Sequence, residues 1–130
     1  MTVQWNGAAV LARVKAAAVL GQHRNVEAVR EEMTSLILTG PKTGRVYGAH
    51  QASAPGEAPA SDTGQLVNSI TTSVDPNTVD GTVGVGAAHG KALEYGTRNM
   101  APRPFARPAL VNKSADCTKN IADEIGKALS

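Results

Sequence analysis

A Pro- and Gly-punctuated run at residues 40–62 does most to limit what this chain can fold into. Gly40, Pro41, Gly44, Gly48, Pro55, Gly56 and Pro59 interrupt it, small residues fill much of the rest, and neither a helical nor a strand period runs through it. More than about twenty residues without period is long for a connection inside a compact domain, so such a segment is a functional loop or a linker. The segments on either side are too small to fold separately. The 130 residues therefore read as one domain, 1–130, with 41–61 as an extended loop.

Before the loop the chain reads as helix. Val10, Leu11, Val14 and Ala18 recur at three- and four-residue steps, and Val26, Val29, Met33, Leu36 and Ile37 do the same. Gly21-Gln22-His23-Arg24-Asn25 separates the two sets. Gly21 weakens a helix by about 1 kcal/mol relative to Ala, and Asn25 is suited to cap a fresh start. The expectation is one kinked helix or two in series, stopped at Gly40-Pro41.

Within the loop, Arg45-Val46-Tyr47 is a candidate short strand. Asp62-Thr63-Gly64-Gln65 fits a capping box, with Asp62 at the N-cap and Gln65 three residues on, opening a helical turn through Leu66 and Val67. Ile70, Thr72 and Val74 then alternate, as do Val83 and Val85, with Asp75-Pro76-Asn77 and Asp80-Gly81 between them. This is a β-hairpin pattern. Gly84 and Gly86 suggest close approach by another backbone.

An irregular Pro-rich turn at 97–104 opens the last third, and Pro108 suits the first residue of a helix. Phe105, Ala109, Leu110, Cys117, Ile121, Ile125 and Leu129 mark one face; Lys113, Asp116, Lys119, Asp123, Glu124 and Lys127 mark the other. The fold class is α+β: a kinked or broken N-terminal helix, a long loop, a small hairpin-centred sheet and a C-terminal amphipathic helix.

Composition adds a constraint on the core. Ala supplies 21 of 54 hydrophobic residues, and the aromatics are only Trp5, Tyr47, Tyr95 and Phe105. Aromatic side chains carry the largest burial per residue, about 150–250 Å² each. Either helices pack closely through Ala, or part of the stabilising burial lies between subunits. The net charge of +2 implies neither nucleic acid nor membrane, but its distribution alternates: +3 over residues 1–48, −4 over 49–90 and +3 over 91–130. That suits subunit complementarity and equally an ordinary solvated surface.

The residues point to no enzyme and no cofactor. His23, His50 and His89 stand apart, without the acidic or Cys neighbours at short spacing that zinc sites use. Cys117 is alone, which excludes an internal disulfide and fits a reducing compartment. It falls on an apolar helix face without a cationic cluster to activate it. The glycines at 81, 84, 86 and 90 lack both the Rossmann spacing and the Lys-Ser/Thr ending of a phosphate loop. Ser53, Ser61 and Ser69 have no elbow context or obvious base. No secretory signal or stretch of roughly 20 apolar residues appears, so a soluble protein made in the cytoplasm, without membrane partners, is expected. Arg98, Arg103 and Arg107 lack interleaved aromatics, and read better as a rigid protein contact than as a nucleic-acid site.

Leu93-Glu94-Tyr95-Gly96-Thr97, then Met100, then Ala101-Pro102-Arg103-Pro104-Phe105-Ala106-Arg107-Pro108-Ala109-Leu110 closely resembles the C-terminal pattern of the tail-completion, or head–tail joining, family of long-tailed bacteriophages. His50 to Pro59 followed by Asp62-Thr63-Gly64-Gln65-Leu66 resembles that family's Pro-rich loop. The likeness spans roughly residues 8–130, and Ala106 stands where the family often has Leu.

The resemblance implies a non-catalytic virion protein made in the host cytoplasm and placed in the neck. It implies a ring, commonly a hexamer, at the head-proximal end of the tail. Its partners would be itself, a head connector or stopper protein, and a tail terminator or tail tube protein, with DNA passing through the channel without sequence-specific binding. Neighbouring readings are a head-completion or tail-terminator ring, or a DNA-binding module of packaging or ejection. The candidate interface residues are Glu94, Tyr95, Gly96, Thr97, Arg98, Arg103, Pro104, Phe105, Arg107 and Pro108. Arg103 or Arg107 is expected to satisfy carbonyls or pair with Glu94. The candidate assembly loop carries Tyr47, His50, Gln51, Pro55, Gly56, Glu57 and Pro59, and is expected to reach a neighbour and order on assembly.

Overall fold

The computed structural model describes residues 6–40, 42–44, 46–47, 50–59, 64–87 and 89–130. Its elements run α1 (Gly7–Thr39), β1 (Val46–Tyr47), β2 (His50–Gln51), α2 (Gln65–Asn68), β3 (Ile70–Val74), β4 (Gly81–Val85), α3 (Gly90–Tyr95) and α4 (Ala106–Leu129). This is the expected α+β order. No helix among the described residues is long and apolar enough to cross a membrane.

The first helix is neither broken nor restarted. It is one 33-residue helix, roughly 50 Å long at 1.5 Å per residue. Asn6 caps it, its Oδ1 accepting from the N–H of Ala9 at 3.3 Å. Its buried stripe runs through Ala17, Gly21, Asn25, Val29, Met33 and Ile37, a four-residue step throughout, with Val26 alongside. Val10, Val14 and Ala18 are only half-buried, and Leu11 is exposed, so the early part of the expected stripe faces elsewhere.

Against this stripe lies α4, antiparallel. Arg13 donates to the carbonyl of Ala128, Arg24 pairs with Glu124 at 3.0 Å, and Lys113 pairs with Glu32 at 3.8 Å. Gly21 is the point of closest approach: a Cβ there would stand 2.9 Å from Cα of Ile121. The residue that looks like a helix break is the one that lets two helices touch. Asn25 likewise caps nothing. It is buried, its Oδ1 accepts from Nδ2 of Asn120 at 3.2 Å, and its Nδ2 donates to Oε1 of Gln22 at 2.8 Å.

From Gln22 this relay continues into the hairpin, Nε2 donating to the carbonyl of Val79 at 2.9 Å. The hairpin itself pairs Ile70 with Val85 through to Val74 with Gly81. Ile70, Thr72 and Val74 share the face turned to α1, where Thr72 Oγ1 donates to Glu27 at 3.1 Å. Of the glycines expected to allow close approach, a Cβ at Gly86 would meet the Ser69 backbone in ordinary contact at 3.5 Å and one at Gly84 a side chain, Thr71 Oγ1, at 3.2 Å; the tightest approach on the hairpin is at Gly81, where a Cβ would stand 2.8 Å from Val26 Cγ1. The crowding group is a side chain of α1, not a backbone.

α1 ends at Thr39. Gly40 takes an extended conformation (φ −67°, ψ 164°), the geometry that a following proline imposes. Lys42 Nζ donates to the carbonyls of Leu36 at 3.0 Å and Gly40 at 3.1 Å, satisfying groups that a helix C-terminus leaves open. At this end of α1 lies the core, where Val29, Met33 and Ile37 meet Ala58, Leu66, Ile70, Ala87, Phe105 and Ala109. Gly64, in left-handed backbone (φ 77°), occupies the N-cap of α2 with Gln65 next, so the expected capping-box register is not adopted; Asp62 lies outside the described residues, as do Pro41 and Arg45.

α4 begins at Ala106, which makes Pro108 its third residue rather than its first. Only Ala109 is fully buried on it; Cys117, Ile121 and Ile125 are half-buried, and Leu110 and Leu129 of the expected inner face are exposed. The face narrows because α1 alone covers it beyond the core.

Gly21→Ala separates the two roles of that glycine by sign. A helix break would be cured by Ala, stabilising by about 1 kcal/mol. The contact with Ile121 makes the substitution overpack the crossing, and urea denaturation should show a net loss of about 1–3 kcal/mol.

Candidate assembly interface: the turn between α3 and α4

Four amides at a helix start have no partner within the helix. In α4 these belong to Phe105, Ala106, Arg107 and residue 108, and residue 108 is proline, with no N–H to satisfy. Glu94, one residue before the end of α3, takes the other three. Its Oε2 accepts from Phe105 at 2.8 Å and Ala106 at 2.9 Å, and its Oε1 from Arg107 at 2.8 Å. The first bond internal to the helix follows, from Ala109 N–H to the Phe105 carbonyl. No side chain of the adjacent chain caps α4; a carboxylate eleven residues upstream does it, where the helix dipole also favours negative charge.

Glu94 therefore pairs with neither Arg103 nor Arg107, contrary to the pairing expected from sequence. The intervening turn is fixed by backbone. Gly96 sits in left-handed backbone (φ 77°), and a Cβ there would meet the Met100 carbonyl and Pro102 at 2.9 Å. Thr97 and Met100 exchange backbone hydrogen bonds, Thr97 N–H to Met100 at 2.8 Å and Met100 N–H to Thr97 at 3.3 Å. Arg103 N–H donates back to the Leu93 carbonyl at 2.6 Å. Phe105, 1% exposed, drives the end of the turn into the core. Pro104 and Pro108 are half-buried around it.

What the turn leaves outside is Tyr95, 68% exposed, with Arg98 and Arg107. Arg103 is half-buried. Its side chain makes one bond, from Nη1 to the Met100 thioether at 3.4 Å, and its buried Nε has no acceptor. A thioether is a weak acceptor, so this guanidinium is held without an oxygen partner among the described residues.

The loop folds back on its own chain. Tyr47 pairs with His50, and Val46 with Gln51, in a two-residue ladder. Gly44 N–H donates to the Ala52 carbonyl at 2.9 Å, and Gln51 Nε2 to that of Gly44 at 3.2 Å. Glu57 clasps the base: Oε2 accepts from the N–H groups of Thr43 at 2.8 Å and Ala54 at 2.9 Å, and Oε1 from the Thr43 hydroxyl. Ser53, Ala58 and Pro59 are buried, Pro55 is exposed, and Gly56 N–H donates to the Pro102 carbonyl at 2.9 Å. The loop and the arginine turn thus form one continuous surface.

A groove of about 500 Å³ runs beside the turn, lined among others by Val26, Val29, Val83, Tyr95, Leu110 and Cys117. Burial, and then Asp116, push the Cys117 thiol above its ordinary pKa. His23 and His89 are exposed, and among the described residues no three His, Cys, Asp or Glu side chains gather. The Gln22–Asn25–Asn120 relay was missed from sequence. Its signal was two amides, three residues apart, beside an apolar stripe.

Comparisons with protein-family models, with curated proteins and with solved structures each found no match.

Glu94→Ala should cost about 2–4 kcal/mol, as three bonds to a carboxylate are lost at a helix start. A double-mutant cycle of Glu94→Ala with Arg107→Ala should show coupling below about 0.5 kcal/mol; strong coupling would restore the ion pair. For Glu57, the bonds from Thr43 first, then Ala54, hold the carboxyl below the ordinary glutamate value. A depressed pKa means that the clasp is intact above the unfolded value and opens as pH falls through the folded one. The amide resonances of Thr43 and Ala54 should titrate together, with a midpoint below that of an unstructured glutamate, and Glu57→Gln should abolish the transition.

Proposed function

We propose that this chain is a non-catalytic structural subunit of a tailed-phage particle, forming a ring at the head-proximal end of the tail and joining it to the head connector. The observation that carries the reading is the motif from Leu93 to Leu110, which resembles the tail-completion family. The geometry supports it through the work that each motif residue does. Glu94, Gly96, Phe105 and Pro108 build a rigid turn: a remote cap, a left-handed hinge, a core anchor and a residue without an amide to satisfy. Tyr95, Arg98 and Arg107 are held outward on it. A motif whose Glu, Gly, Phe and Pro hold Tyr and Arg outward suits an interface, where those side chains anchor binding.

A ring needs two different patches on each subunit. The arginine turn is one. The loop beside it, with exposed Val46 and Gln51, extends the same surface toward the head connector or the tail tube. DNA would cross the channel without base-specific contact, as the resemblance to the tail-completion family implies.

Cryo-electron microscopy of virions from the parent phage tests this reading. A ring of this subunit between connector and tail tube is the expected result. Its absence from the neck, with the chain found in another virion ring, would move it to a head-completion or terminator station. Absence from the particle, with duplex affinity falling steeply with salt, would favour a DNA-binding role instead.

A further inference from the structure

We infer that copies of this chain associate head to tail by charge, the arginine turn of one copy seated on the acidic tip of the β3–β4 hairpin of the next. The inference rests on the ring reading above and names its contact.

The chain segregates its charge. No Lys or Arg occurs between residues 49 and 90, and Lys91, Arg98, Arg103 and Arg107 follow at once. Gly81, next to the acidic tip, and Arg107 of the turn line one groove, yet among the described residues no ion pair joins the two sets. Asp75 and Asp80 flank an exposed tip, and among the described residues neither has a cation within ion-pair distance. The tip is well fixed: Asp75 N–H donates to the Asp80 carbonyl at 2.9 Å, Val79 N–H to that of Asp75 at 2.8 Å, and Gln22 holds Val79 from α1.

On the basic side, Glu94 is the one acid in the segment, and both its oxygens are occupied by backbone amides. Lys91, Arg98 and Arg107 are exposed and form no ion pair among the described residues. Arg103 is the more telling. A half-buried guanidinium whose only acceptor is a sulfur gains more from a carboxylate than a solvated surface arginine does, because part of its water is already lost. On the helix pair, Arg24, Arg30, Lys113 and Lys127 each have a carboxylate within their own chain, whereas no cation of the turn has one among the described residues.

Position makes the contact head to tail. The tip lies beside Gln22, whereas the turn is carried by Phe105 in the core cluster with Met33 and Ile37. Between Gln22 and Met33 the helix rises roughly 16 Å. Two unlike patches so displaced make a heterologous contact, which propagates from copy to copy until it closes. Tyr95 and Leu110, 68% and 57% exposed, flank the arginines and supply apolar area for the same contact.

The test uses two charge-reversed chains, followed by sedimentation velocity at low salt. Asp75→Asn with Asp80→Arg reverses the tip and keeps the acceptor that the Asn77 amide needs at position 75. Arg98→Asp with Arg107→Asp reverses the turn, where neither side chain makes a hydrogen bond among the described residues. Each variant alone, shown folded by circular dichroism, should self-associate roughly tenfold or more weakly than the parent chain. An equimolar mixture should recover assembly, because each reversed patch then meets its complement. Raising salt from about 0.05 to about 0.5 M should weaken the parent assembly. Variants that assemble like the parent, a mixture that stays apart, or a parent chain that stays monomeric when concentrated at low salt would each overturn the contact. Assembly that stops at a dimer would overturn its head-to-tail geometry. None of these results depends on where the chain sits in a particle, so the contact and the proposed station fail separately.

Discussion

The antiparallel seam between α1 and α4 is the constraint on which the rest of this structure depends. Its stripe on α1 is graded in size: Ala17, Gly21 and Asn25, then Val29, Met33 and Ile37. At the small end α4 comes so near that Gly21 has no room for a Cβ. At the large end the side chains reach the hairpin, the loop and Phe105. One helix therefore does two jobs by changing side-chain volume along a single face. Close packing makes that gradient consequential, since interiors of this density leave no slack for a methylene in the wrong place.

Glu94 sets the second constraint, and it acts over a much shorter reach. By taking the free amides of α4 it fixes where that helix starts, hence the register in which Ala109, Cys117 and Ile121 meet α1. The same bonds hold the nine-residue turn of 96–104 taut between two helices. Arginine side chains there start from a fixed backbone, which removes part of the ordering cost of any contact they make. A structural carboxylate thus fixes the backbone from which Arg98, Arg103 and Arg107 project, while both its own oxygens are taken by amides.

Much of this was legible in the sequence. The alternation of Ile70, Thr72, Val74, Val83 and Val85 specified the hairpin, and the Pro-rich turn before Phe105 located the start of α4 to within two residues. The failures share a cause. Gly21, Asn25 and the Gly81 contact were read for their local preferences, as a helix break, a cap and a turn. Each instead answers to a group far off in sequence: Ile121, Asn120 and Val26. Glu94 was matched with an arginine because charge suggests charge, whereas three unsatisfied amides offered a better acceptor geometry. Leu110 and Leu129 fit the period of the inner face, but period alone does not say whether an opposing element is present to cover it.

That last point bears on what holds the chain together. Among the described residues the core comprises Val26, Val29, Met33, Ile37, Leu66, Ile70 and Phe105 with four alanines, while Leu11, Leu20, Leu38, Val46, Tyr95, Leu110, Val111 and Leu129 are exposed. Eight large apolar side chains outside against seven inside is a poor division for a monomer, since each full burial is worth about 1.5–3 kcal/mol. Single exposed leucines are ordinary. Six of these eight fall into two groups, Tyr95, Leu110 and Val111 beside the arginine turn, and Leu11, Leu20 and Leu129 at the far end of the helix pair. From Gly7 to Leu20 only Ala17 is buried, so that end contributes little to the subunit's own stability. The fold thus concentrates its packing at one end, around Met33, Ile37 and Phe105, and leaves grouped apolar side chains exposed at both.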